Sequence, residues 1–155
     1  MIECVPNISE GRRTEVVAQC AAAVGRFASL LDVTSDPAHH RSVLTFAGER
    51  QQMHSAALSL FEAALPAIDM RHHEGQHPRV GAVDVMPFVP LGETSMELCV
   101  DLARSVAETV AGRFNVPVYL YEQASRPGVY RRLEEIRRGG LAGLAAPMTE
   151  TPAVG

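Results

Sequence analysis

At 155 residues, with 46% hydrophobic and 21% charged residues, the chain is long enough for one core and too short for two full domains. Fourteen basic against eighteen acidic residues leave a net charge of -4, without the basic surplus that a nucleic acid partner demands. All fourteen basic residues are arginine, which excludes a Schiff-base lysine and the lysine of a nucleotide-binding loop.

Ile2 to Pro6 is a short β-favouring run that Pro6 and Asn7 stop, and Ser9-Glu10-Gly11 turns the chain into a helix. From Thr14 to Phe27, Val16, Val17, Cys20, Ala21, Val24 and Phe27 recur at helical spacing. Leu30 to Thr34 and Arg41 to Ala47 read as a hairpin-like pair of strands broken at Ser35-Asp36-Pro37. Residues 50–69 place Met53, Ala57, Leu60, Phe61, Ala64 and Leu65 on one face of an amphipathic helix. Ala82 to Pro90 reads as one buried strand. Thr94, with Glu97 three residues on, is expected to cap a helix that runs to Phe114. Pro117 to Tyr121 reads as a further strand and Tyr130 to Arg138 as a last helix. The order βαββαβαβα predicts an α/β fold, an α+β sandwich of helices packed on a mixed β-sheet. Residues 139–155, with glycines and prolines and no periodicity, are expected to be a flexible tail or truncated linker after a domain of residues 1–138. Cys4, Cys20 and Cys99 read as reduced core residues. With no run of about 18 apolar residues and no basic, apolar leader, a cytoplasmic protein without membrane contact is expected.

Chemistry is expected where histidines and charges gather. Arg71-His72-His73-Glu74-Gly75-Gln76-His77-Pro78-Arg79 holds three of the six histidines in a loop, and an imidazole takes and returns protons near neutral pH. Solvated loop histidines are the competing reading. His73 to His77 also fits the zinc pattern HExxH, which needs both histidines one turn apart on a continuing helix. Gly75 weakens such a helix by about 1 kcal/mol and Pro78 drives His77 out of helical backbone, so no metal is expected. Asp36 before Pro37 reads as a turn-forming side chain. Arg41 is either a solvated edge residue or a forked carboxylate binder. Asp84, inside an apolar strand, either faces solvent or is buried against Arg79 or a loop histidine.

Taken together, several fragments in order resemble the N-terminal subdomain of glutamate formiminotransferases, the folate-dependent enzymes of histidine degradation. They are Glu3 to Arg12 (ECVPNISEGR), Leu31-Asp32-Val33, Asp36-Pro37, Arg41-Ser42-Val43, Ile68-Asp69-Met70, Gly75, His77-Pro78-Arg79, Gly81 to Val85, Pro87 to Pro90 and Pro117 to Tyr121. The resemblance implies transfer of a formimino group from N-formimino-L-glutamate to tetrahydrofolate as co-substrate, with His77 as the catalytic acid and base. Asp36 or Asp84 would then hold the cationic formimino group, and Arg41 and Arg79 the carboxylates of formiminoglutamate or of the folate tail. The family often has asparagine where His40 stands and glutamine or lysine where Glu74 stands. Its chain continues into a second, C-terminal subdomain that this sequence lacks. A homodimer, or a separate chain carrying that subdomain, is therefore an expected partner, and a non-catalytic folate-binding or assembly module is the alternative function.

Overall fold

A computed structural model describes residues 1–75, 79–129 and 131–138. Six short strands form one sheet: β1 (Ile2–Cys4), β2 (Asn7–Ile8), β3 (Ser29–Asp36), β4 (Arg41–Gly48), β5 (Val83–Val85) and β6 (Phe88–Pro90). Four helices accompany it: α1 (Thr14–Gly25), α2 (Arg50–Ala67), α3 (Met96–Phe114) and α4 (Leu133–Arg137).

β1 and β2 are one track interrupted at Pro6, and both pair with β4 in an unbroken register, Cys4 opposite Phe46 and Asn7 opposite Val43. Proline has no N–H to give the ladder, but its carbonyl still accepts from the Leu44 amide at 3.1 Å. β5 and β6 repeat the device on the other side, split at Met86-Pro87, with the Pro87 carbonyl taking the Val5 amide. The single strand expected over Ala82 to Pro90 is thus two short ones, and the physical reason is Pro87.

Every pairing is antiparallel, because each crossover helix carries the chain past one strand. α1 leads from β2 to β3 with β4 in between, and α2 leads from β4 to β5 with the first track in between. This is the split βαβ arrangement used twice. The α/β layering expected from the sequence is present, with no parallel pair among the described strands. α1, α2 and α3 cover one face, where Ile2, Cys4, Leu44 and Phe46 meet Val17, Cys20, Met53, Leu60, Cys99 and Leu102, all of them buried. The opposite face carries Glu3, Thr45 and the exposed Val89.

Three further expectations are corrected. The cap of α3 is Ser95, whose hydroxyl accepts the Leu98 amide, while Thr94 takes the N-terminal amine of Met1 at 2.8 Å. Residues 117–121 form no strand: only Val118 makes an isolated bridge, and Val116 and Val118 pack on the core instead. The last helix is confined to Leu133–Arg137, and Tyr130 and residues 139–155 lie outside the described residues.

Candidate active site at one end of the sheet

The end of β2, the end of β3, the start of β4 and the start of β5 lie together, so the connections that leave them converge. Asp36 closes the β3–β4 turn as the sequence suggested: its Oδ1 accepts the Ala38 and His39 amides at 3.0 and 3.1 Å, and its Oδ2 meets His39 Nδ1. Those bonds hold its carboxyl below the usual range, the His39 amide first. His40 follows with a φ of 51°, the left-handed region that histidine enters more readily than most residues.

Two glycines let the other segments press on this turn. A Cβ on Gly11 would lie 2.5 Å from the Arg41 nitrogen and from the Asp36 oxygen, and one on Gly75 would lie 2.6 Å from the His39 oxygen. Across the same junction the rings of His40 and His73 stack with centroids 4.7 Å apart. His73 is extended backbone at the end of a 3-10 turn over Met70–His72, so the helix that the zinc pattern requires does not run through it. Among the described residues no group of three or more His, Cys, Asp or Glu gathers as metal ligands would.

Beneath the turn lies Glu10, 1% exposed. Burial pushes its carboxyl up, but the Arg13 and Arg12 amides and the Arg13 guanidinium outweigh burial and hold it below its usual value. The negative charge also stands at the N-terminus of α1, whose cap residue Arg13 makes no side-chain capping bond to the helix amides. Burial holds both stacked imidazoles below the usual value, with Arg12 and Arg13 adding to the effect on His40, and His40 and Arg79 to that on His73.

Asp84 is buried and paired, which decides between its two readings. Its Oδ1 accepts the Val80 amide at 2.7 Å, and its Oδ2 lies 3.6 Å from Arg79 and in contact with Arg137 of α4. Arg79 is itself buried, its side chain 2% exposed, and its Nε and Nη2 find no acceptor among the described residues. Arg41 is half-buried and near enough for its charge to be felt at Arg79. A cavity of about 960 Å³ adjoins this cluster, walled by Asp84, Val83, Cys99, Val106, Ile136 and Tyr121. The Tyr121 hydroxyl is buried without a hydrogen-bond partner among the described residues, and burial raises its pKa to about 12.

Asp36, Arg41, Arg79 and Asp84 are therefore all at this end of the sheet, while His77, with Gln76 and Pro78, lies outside the described residues. Glu10, His40, His73 and Arg137 join the cluster although none of them was expected among the site residues. Glu10 left one trace, a carboxylate just before a helix, whereas nothing in the Glu/Arg pattern of the last helix separates Arg137 from its neighbours.

All 155 residues match the family described as formiminotransferase domain, N-terminal subdomain. The chain belongs to that family. This formiminotransferase subdomain is 36% identical over 152 residues to a glutamate formimidoyltransferase of Streptococcus pyogenes, covering 97% of this chain and 51% of that one. It is 47% identical over 130 residues to a glutamate formimidoyltransferase of Thermoplasma acidophilum, covering 82% and 43%. It is 42% identical over 141 residues to the formimidoyltransferase-cyclodeaminase of Rattus norvegicus, covering 90% and 26%. The subdomain thus spans about half the length of the Streptococcus relative and less of the others. No helix among its described residues is long and apolar enough to cross a membrane.

Proposed function

We propose that this chain is the N-terminal half of a transferase that moves a formimino group from N-formimino-L-glutamate to tetrahydrofolate in histidine degradation, working as a cytoplasmic homodimer on small molecules. What carries the reading is one coincidence. In a chain of the formiminotransferase family, Gly75 and Arg79 stand at a sheet end where the buried Arg79 guanidinium has two nitrogens, Nε and Nη2, without an acceptor among the described residues. A buried guanidinium with unused donors favours an anion, and both substrates bring carboxylates.

Tetrahydrofolate would supply the attacking nitrogen. His77 takes the proton that this nitrogen sheds and returns it to the departing glutamate nitrogen, so one imidazole serves both halves of the reaction. Arg79 and Arg41 grip the carboxylates. Of the two acidic residues, Asp36 is the better holder of the cationic formimino group: its side chain is 40% exposed, whereas Asp84 is fully buried and already answers two arginines.

The test is formimino transfer by this chain mixed with the C-terminal half that its relatives carry, supplied as a second polypeptide. Transfer that needs both chains, and that His77→Ala lowers by several powers of ten while the circular dichroism is unchanged, is the expected result. Full turnover in the mutant would remove His77 from the mechanism. Because the chain spans about half the length of the Streptococcus relative, a second reading stands beside it, a non-catalytic folate-binding or assembly module. Folate binding without transfer in the completed pair would select the module.

A further inference from the structure

Glu10 accepts three hydrogen bonds through its carboxylate at this end of the sheet, and the transfer reaction gives it no part. We infer that Glu10 is a positioning residue of the site: with the neighbouring Gly11 amide it decides which nitrogen of His40 carries a proton, and through the ring stack it holds His73.

The carboxylate is clamped. Its Oε1 accepts the Arg12 and Arg13 amides at 2.8 and 2.9 Å, its Oε2 accepts Arg13 Nε at 2.6 Å, and the buried Ser42 hydroxyl donates to the Glu10 carbonyl at 2.6 Å. From this fixed position Oε1 stands 3.5 Å from His40 Nδ1. The same nitrogen accepts the Gly11 amide at 3.1 Å. A ring nitrogen that accepts a hydrogen bond carries no proton, so neutral His40 is the Nε2–H tautomer. A second proton must enter at Nδ1, where it displaces the Gly11 amide and finds Glu10 as its acceptor. His40 therefore has two bonded states, one on Gly11 and one on Glu10.

The charges around the pair set the balance between them. Arg12 and Arg13, from the same loop and the start of α1, oppose a charge on His40, and Glu10 favours it. Asp36 and His39 share the turn of His40, and Arg41 follows it. His40, Arg79 and Arg12 oppose a charge on His73 and the Ser9 backbone favours it, while the buried Nε2 of His73 has no hydrogen-bond partner among the described residues. With the rings 4.7 Å apart, protonation of one imidazole penalises protonation of the other.

Titration of the imidazole and amide resonances of the intact 155-residue chain tests this. In the wild type the Gly11 amide should shift with the midpoint of His40, below the ordinary value near 6.5. Glu10→Gln keeps a carbonyl oxygen for the two amides but removes the charge, and the His40 midpoint should fall by about one pH unit. His40→Asn keeps an acceptor for Gly11 and suits the left-handed backbone; it should abolish the Gly11 response and raise the midpoint of His73. A His40 midpoint unchanged in Glu10→Gln would overturn the assignment. If that variant does not fold, a silent Gly11 amide in the wild type, or an unmoved His73 in His40→Asn, overturns it instead. Although the role rests on reading this sheet end as the site, the titrations contain no substrate, so their failure and that of the transferase reading are separate results.

Discussion

At Gly75 the backbone of one loop lies against the carbonyl of His39, and the room for a single methyl group is missing. Gly75→Ala should therefore cost about 1–3 kcal/mol in chemical denaturation, through displacement of the loop from the turn. An unchanged midpoint would show that the two segments are not pressed together. Gly11→Ala should cost at least as much, because the Cβ meets the backbones of Asp36 and Arg41 together. Of the candidate residues, Asp36 was legible as a turn former because the Asx turn is local, four residues long and written in Asp-Pro. Asp84 was legible only as a choice, since a carboxylate in an apolar strand says that it needs a partner and not which one. Its second arginine comes from α4, and no local pattern reports a contact made at that range.

Among the elements, the long helices were readable from periodicity, while their ends depended on single hydrogen bonds. Ser95→Ala should cost about 1 kcal/mol, because the hydroxyl that takes the Leu98 amide is lost, and Thr94→Ala no more than about 0.5 kcal/mol. Denaturation of both variants in urea decides between the two caps, and a larger loss at Thr94 would reverse the assignment. The strands show a different limit. Pro117 to Tyr121 has β-favouring residues, yet a strand needs a run of pairings along a neighbour, and here Val118 alone makes a bridge while packing on the core. Conversely, Pro6 and Pro87 break two tracks that remain in register, because the residues on either side keep their partners.

For the molecule as a whole, the buried face of β4 is the keystone. Phe46 and Leu44 are fully buried between the sheet and the helices, so Phe46→Ala should lose about 3–5 kcal/mol, read as a lower denaturation midpoint at unchanged slope. Acid should weaken the fold in two stages. His40 and His73 hold protons less tightly in the folded chain than in the unfolded one, and so do Glu10 and Asp36. Stability therefore rises with pH over both ranges. The imidazole contribution is lost as pH falls through about 6.5, and the carboxyl contribution below about 4.5. Melting temperatures flat from pH 7 down to pH 5 would contradict this burial of the histidine pair. The sequence alone determined the α/β layering, the helices and the loop in which histidines and arginines gather, because periodicity and turn chemistry act over a few residues. Only the tertiary structure decided the antiparallel order of the strands, the pairing of Asp84 with two arginines, and the junction of Glu10, His40 and His73. The contacts of Glu10 with His40, of His40 with His73 and of Asp84 with Arg137 join residues 30 or more positions apart, and their energy comes from burial that no local pattern records.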